Sequence, residues 1–372
     1  MINCPDILRM ADKIKAIAIH LPQFHPIAEN NEWWGNGFTE WTNVSKAKPL
    51  FKDHYQPHLP ADLGFYDLRL EEARLAQEAL AKTKGIHGFC YYHYWFNGKR
   101  ILEKPVNGKL KNPKEDLPFM LCWANENWTR VWDGGEKNIL LNQEYSLEDD
   151  KAHIQELINY FKDDRYIKVN GKPMFIVYRP RLFPNLKETV ALWREEVKKA
   201  GFPDIYLGFA RTFEYKDAVS KDGFDFAFTF QPNFETRPDT LKESQVTRYF
   251  YELSRRLKLP FKNKYDLVYD YAAYRDLQIQ LGFEEDTYPT VTPMWDNTAR
   301  RRVNYFVLHD STPEKYKKWL THVAEKYPWK KMPEPFLFIN AWNEWAEGNH
   351  LEPCQKWGTQ YLDATQEVIN KD

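Results

Sequence analysis

Short apolar runs alternate along the chain with longer stretches in which apolar residues recur every three or four positions. Ile14 to His20, written Ile14-Lys15-Ala16-Ile17-Ala18-Ile19-His20, is rich in branched side chains and predicts a first strand. Ile86–Phe96, Pro118–Ala124, Pro173–Tyr178, Ile205–Phe209, Phe224–Phe230, Thr290–Trp295 and Phe336–Trp342 predict seven more. The fourth is the second arm of a hairpin, since Asn170-Gly171 is a tight-turn dipeptide after Tyr166–Val169. Helical spacing covers Leu70–Lys84, Leu147–Lys162, Leu186–Ala200, Pro313–Tyr327 and Gly358–Asn370. Gly85 and Gly201 stop two of these helices. A long, mostly helical stretch runs from about Leu241 to Gly282, with a break near Pro260.

Eight buried strands alternating with helices predict an α/β protein built as a single (β/α)8 TIM barrel with long loops on its C-terminal face. A doubly wound sheet would want a glycine-rich turn after an early strand, and the chain has neither G-x-G-x-x-G nor G-x-x-x-x-G-K-[ST]. No repeat, low-complexity segment or linker interrupts it. The expectation is one domain over residues 1–372, with a leader over 1–13.

Net charge is −1 over 372 residues and charges are interspersed, so nothing steers the chain toward nucleic acid or an acidic membrane. Arg9, Asp12 and Lys13 break the first stretch, so no signal peptide is expected there, nor a membrane span elsewhere. The expected location is the cytoplasm. Four separated cysteines require neither disulfides nor zinc. Nothing in the sequence speaks to oligomeric state.

Aromatics change the picture: 14 Trp, 22 Tyr and 24 Phe. Many are core filler, but they also cluster where strands end. His20 ends the first strand and leads into a long aromatic loop holding Trp34, Glu40 and Trp41. His93 and Trp95 lie at the second strand end, Trp123, Asn125, Glu126 and Trp128 at the third, and Tyr178 with Arg179 at the fourth. Arg211, Gln231, then Trp295 with Asp296, and finally Asn343, Glu344 and Glu347 follow on later strands. In a barrel these ends converge on one face. Carboxylates, amides and indoles suit a polyhydroxylated ligand. Any one histidine in such a set is more often a packing residue, and either arginine could simply pair with an acid.

Two chemical candidates need weighing. Glu344 and Glu347 stand three apart around Trp345, and two carboxylates in unlike environments can divide into an acid and its ionised partner. An isolated E-x-x-E is as often a solvated loop, but Trp342, Asn343 and Asn349 make this one unusual. His54-Tyr55-Gln56-Pro57-His58 has ligand-like spacing, yet Pro57 prevents a regular helix and no third ligand is evident, so no metal is expected. Asp149-Asp150 and Asp163-Asp164 look like solvated helix ends. No cofactor motif is present.

Five motifs carry a family likeness: Leu21-Pro22-Gln23-Phe24-His25-Pro26; Glu32-Trp33-Trp34-Gly35 with Gly37-Phe38-Thr39-Glu40-Trp41-Thr42-Asn43-Val44; Trp123-Ala124-Asn125-Glu126-Asn127-Trp128-Thr129; Trp295-Asp296-Asn297-Thr298; and Asn343-Glu344-Trp345-Ala346-Glu347-Gly348. Together they resemble the WbsX family, which is similar to glycoside hydrolase family 99. That resemblance implies a (β/α)8 barrel and a retaining, endo-acting hydrolase of α-linked, manno- or rhamno-configured glycans. It implies Glu347 as general acid/base and Glu344 as the group that acts on the sugar 2-hydroxyl, forming a 1,2-anhydro intermediate. The remaining residues named at strand ends would bind sugar. His20 stands where that family commonly has tyrosine. The family's usual label is glycosyltransferase, which leaves transfer from a sugar nucleotide as the alternative, although no D-x-D occurs in this chain. A non-catalytic glycan-binding barrel is the third possibility. On each of these readings the partner is an oligo- or polysaccharide.

Overall fold

In the computed structural model, residues 13–130, 135–212, 215, 217–241, 253, 256–257, 267–301 and 305–371 are described. Nearly all of the expected leader and much of the expected 241–282 helix lie outside them. The barrel strands are β1 (Lys15–His20), β2 (Ile86–Phe96), β3 (Phe119–Trp123), β4 (Lys172–Val177), β5 (Tyr206–Arg211), β6 (Phe226–Thr229), β7 (Thr287–Tyr288), β8 (Thr290–Val291) and β9 (Phe336–Ile339). They pair in the order β7-β6-β5-β4-β3-β2-β1-β9-β8, every neighbour parallel. Parallel strands covered by helices are buried on both faces, which is why they read as continuous apolar runs. Ala16, Ile17 and Ala18 of β1 are fully buried.

The ring closes at Pro289. β7 pairs with β6 on one side of this residue and β8 with β9 on the other. Proline has no N–H to give the ladder, so one strand becomes two short ones, while the Pro289 carbonyl still accepts from Phe338 N at 3.0 Å. The seventh strand therefore spans 287–291 rather than the expected Thr290–Trp295. Trp295–Asp296 belongs to a separate three-stranded sheet with Val268–Asp270 and Val307–His309. Val268–Asp270 also replaces helix in the segment expected to be helical.

Among the described residues the helices are α1 (Ala28–Trp34), α2 (Glu40–Lys46), α3 (Glu71–Thr83), α4 (Lys104–Lys111), α5 (Leu147–Phe161), α6 (Leu186–Lys199), α7 (Tyr271–Leu281), α8 (Pro313–Lys326) and α9 (Gln360–Ile369). The aromatic loop after β1 is thus partly helical, holding α1 and α2. Helix α5 shows how the outer layer forms. Ser146 caps it by accepting from Asp149 N at 3.1 Å. Ile154, Leu157, Ile158 and Phe161 make one stripe, buried with Val190, Trp193 and Val197 of α6 and Phe175 of β4. Burying each such side chain contributes about 1.5–3 kcal/mol. Asp150, expected to be solvated, is buried and accepts from Thr189 Oγ1 at 2.6 Å. Burial pushes its carboxyl up to about 6.

Among the described residues, no helix is long and apolar enough to cross a membrane. Nor is any group of three His, Cys, Asp or Glu placed to hold a metal ion. His54 is bonded to Asp296, and His58 to His350.

Candidate active site

Beyond β9 the chain enters a small hairpin, Asn343–Glu344 against Asn349–His350, around the 3-10 turn Trp345–Glu347. Such a turn has three residues per revolution, so Glu344 and Glu347 emerge on one side. Gly348 ends it at φ 54, in the left-handed region. A Cβ there would meet Cβ of Asp296 at 2.8 Å and its carbonyl oxygen at 3.0 Å. Gly348→Ala is expected to cost about 2–4 kcal/mol of stability and to displace the acid turn. Thermal melting and circular dichroism read the loss; a melting temperature matching wild type would contradict it.

Between the two acids lies Arg300, at the C-terminal end of the turn Asn297–Ala299. Its Nη2 donates to Glu344 Oε2 at 2.9 Å and its Nη1 contacts Glu347 Oε1 at 2.8 Å. Its Nε donates to Oε1 of Glu40, the first residue of α2, at 2.9 Å. One guanidinium thus faces three carboxylates. The Glu40 side chain is fully buried, Glu344 is 6% exposed and Glu347 21%, so Glu347 is the acid open to a ligand.

The cluster's electrostatics follow from that imbalance. Burial pushes Glu344 up to about 8 against the pull of Arg300, with Glu347 and Glu40 adding to the rise. Burial raises Glu347 as well, again opposed by Arg300. Burial would lower Arg300, but the three acids outweigh it and hold the guanidinium well above its ordinary value. Glu344 and Glu347 titrate as a unit that keeps a proton into the neutral range.

Above the acids opens a cleft of about 430 Å³. Of the residues expected from sequence, it brings together Trp34, Glu126, Trp128, Tyr178, Trp295, Glu344 and Glu347. Glu126 pairs with Arg179 Nε at 2.8 Å.

The others sit behind this wall. His20 packs on Phe89 and Tyr91, bonds Gln77 at 3.2 Å, and is held neutral by burial, its pKa lowered to about 3. Glu40 lies beneath Arg300, and Trp41 packs on Phe24, Tyr66 and Trp345. His93 and Trp95 face His153 of α5, and Trp123 packs on the same ring. Asn125 ties β3 to β4, accepting from Arg179 N at 2.7 Å and donating to its carbonyl at 2.9 Å. Asn343 does the same to Leu21 after β1, at 2.7 and 3.0 Å. Asp296 caps the turn before Arg300.

Strand alternation explains one mistake. In β2 the side chains of His93 and Trp95 point out to the helices, so Tyr92 and Tyr94 point into the cleft. Tyr92, Tyr94, Trp33, Phe230 and Arg300 line the cleft and were not expected there. For Arg300 a signal existed. Asp296 followed two residues later by Thr298 is a turn signature, and a turn there aims the next residues back at the strand ends.

Comparison with known proteins places this geometry in a family. WxcX of Xanthomonas campestris pv. campestris, from strains B100 and ATCC 33913, is 40% identical over 357 residues, or 95% of this chain and 49% of WxcX. The chain therefore spans about half the length of the curated relatives it matches. The fold matches a structure of the GH99 endo-alpha-mannosidase from Bacteroides thetaiotaomicron with a TM-score of 0.57, at 14% identity over 95% of this chain and 96% of that one. It also matches a glycoside hydrolase-like protein with a TM-score of 0.55, at 13% identity over 99% and 97%. A family model described as glycosyltransferase WbsX matches residues 16–365, and the chain belongs to the WbsX family.

Proposed function

We propose that the protein is a retaining glycoside hydrolase, cleaving within an α-linked, manno- or rhamno-configured glycan. The observation that carries this is the acid pair on one turn, bridged by Arg300 at the floor of an aromatic cleft. Glu347, the more exposed acid, protonates the leaving glycosidic oxygen. Glu344 takes the proton of the 2-hydroxyl as that oxygen attacks the anomeric carbon. Water then opens the 1,2-anhydro ring, giving its proton to Glu347, while Glu344 returns its own to the 2-oxygen. Two displacements restore the starting configuration. This departs from the usual carboxylate nucleophile.

The family's description favours a second reading, transfer from a sugar nucleotide. Such a donor needs cationic charge for its diphosphate. Arg300 is engaged by three carboxylates and Arg179 by Glu126, and Arg301, which also lines the cleft, acts on Glu347. That pairing supports an uncharged glycan as ligand. The test is product mass after incubation with bacterial mannans, rhamnans and O-antigen-like oligosaccharides, with and without sugar nucleotides. Shorter products without nucleotide are expected. Longer products that require it would restore the transferase. No product in either arm, with glycan binding retained, would favour a binding barrel.

The reaction should also report the shared proton. The working state has one protonated acid. Burial raises both acids, and losing the pair's one proton ends acid catalysis, so activity should persist above the ordinary carboxylate range and fall only as pH rises beyond it. An alkaline limb near pH 5 would contradict the arrangement.

A further inference from the structure

The loop after α2 reaches the same machinery from behind. His54 Nε2 lies 2.6 Å from Asp296 Oδ2, and Gln56 Nε2 donates to the same oxygen at 2.8 Å. The His54 tautomer is fixed, because Nδ1 accepts from Leu50 N at 2.9 Å, leaving the hydrogen on Nε2. Phe51 stacks on the ring with centroids 4.2 Å apart and planes 7° apart. Asp296 Oδ1 accepts from Thr298 N at 3.0 Å and Thr298 Oγ1 at 2.6 Å. Gln56 Nε2 also reaches Thr298 Oγ1 at 3.2 Å. The carboxylate is thus gripped on one oxygen by the loop and on the other by the turn that ends at Arg300. The Asp296 backbone meanwhile abuts Gly348 of the acid turn.

We propose that His54 and Gln56 are positioning residues that act through Asp296 to hold Arg300 between Glu344 and Glu347. None of the three lines the cleft. Burial alone would raise Asp296, but the bonds from His54 and Thr298 outweigh it and keep the carboxylate ionised. An ionised, four-bonded cap fixes the turn, and the turn fixes the guanidinium. Freed from it, Arg300 could pair with Glu40 alone and leave the acids unbridged. This rests on the hydrolase reading only for its kinetic consequence.

The experiment combines crystal structures with kinetics on the glycan that wild type cleaves. His54→Phe keeps the stack on Phe51 and loses the donor; His54→Gln puts an amide N–H where Nε2 was. Asp296→Asn sets an amide against two donors. In His54→Phe and Asp296→Asn, Arg300 is expected to leave Glu347, with kcat down on the order of 100-fold and KM within about two-fold. His54→Gln is expected to keep Arg300 in place and most of the activity. Arg300 still on all three carboxylates in both disruptive variants would overturn the proposal, as would equal kcat losses in His54→Phe and His54→Gln. If wild type cleaves no glycan, the hydrolase reading fails and the crystal structures alone decide the relay. If His54→Phe does not fold, Asp296→Asn carries the decision.

Discussion

Glu347→Gln is expected to lower turnover of a natural glycan by about 10³-fold while the protein keeps its melting temperature. General acid catalysis typically supplies about 10²–10⁴-fold, and glutamine cannot give up a proton at neutral pH. The amide oxygen can still accept from Arg300 Nη1, so the clamp should survive. Losing the neighbouring charge also removes one influence that raises Glu344. Leaving-group ability separates the two acids. A dinitrophenyl glycoside needs no proton to depart, so Glu347→Gln should recover much of its rate on that substrate. Glu344→Gln should not, because the 2-hydroxyl still needs its base. Stopped assays with both substrates give the comparison. Equal losses on the two substrates for Glu347→Gln would reverse the assigned roles.

The largest stability effect should come from far below the site. Lys109 of α4 is buried, with Nζ 2.6 Å from Glu78 Oε1 and 2.8 Å from the Glu115 carbonyl. Arg74 closes the set, donating to Glu115 from Nε at 3.0 Å and from Nη2 at 2.9 Å. Two cations and two anions satisfy one another between α3, α4 and the segment before β3. Lys109→Met keeps the stem's volume and strands Glu78. Removing one partner of a buried pair costs about 3–5 kcal/mol. The sign of the pH dependence follows. Burial already raises Glu78 and Lys109 lowers it, so the variant's Glu78 rises further. A raised folded-state carboxyl loses stability as pH climbs above the unfolded value. The deficit should be larger at pH 8 than at pH 5, and Glu78→Gln added to the variant should recover part of it. Urea unfolding at both pH values measures this. A deficit under about 1 kcal/mol, or one flat with pH, would count against it.

The barrel was legible because parallel strands buried on both faces spell themselves as apolar runs, as in Phe336–Ile339. The acid pair was legible because three residues make one 3-10 revolution. What failed was orientation. His93 and Trp95 look more chemical than Tyr92 and Tyr94, but one residue's shift along a strand exchanges helix face for cleft. Glu40 and Asp296 were placed near the right site with the wrong part. Each faces Arg300 or its turn across more than 250 or within 4 positions of sequence, and spacing alone could not rank those distances. The seventh strand was misplaced at both ends, because the ladder begins at Thr287, ahead of Pro289, and stops at Val291, two residues before Pro293.

The central claim is that water, not a sugar nucleotide, supplies the second substrate. The direct measurement is a brief incubation of wild type and Glu347→Gln with the glycan panel in ¹⁸O-water, with and without added sugar nucleotide, read by mass spectrometry. The expected result is shorter oligosaccharides with one ¹⁸O at each new reducing end, absent with Glu347→Gln. Products that appear only when a sugar nucleotide is added, without ¹⁸O, would contradict it.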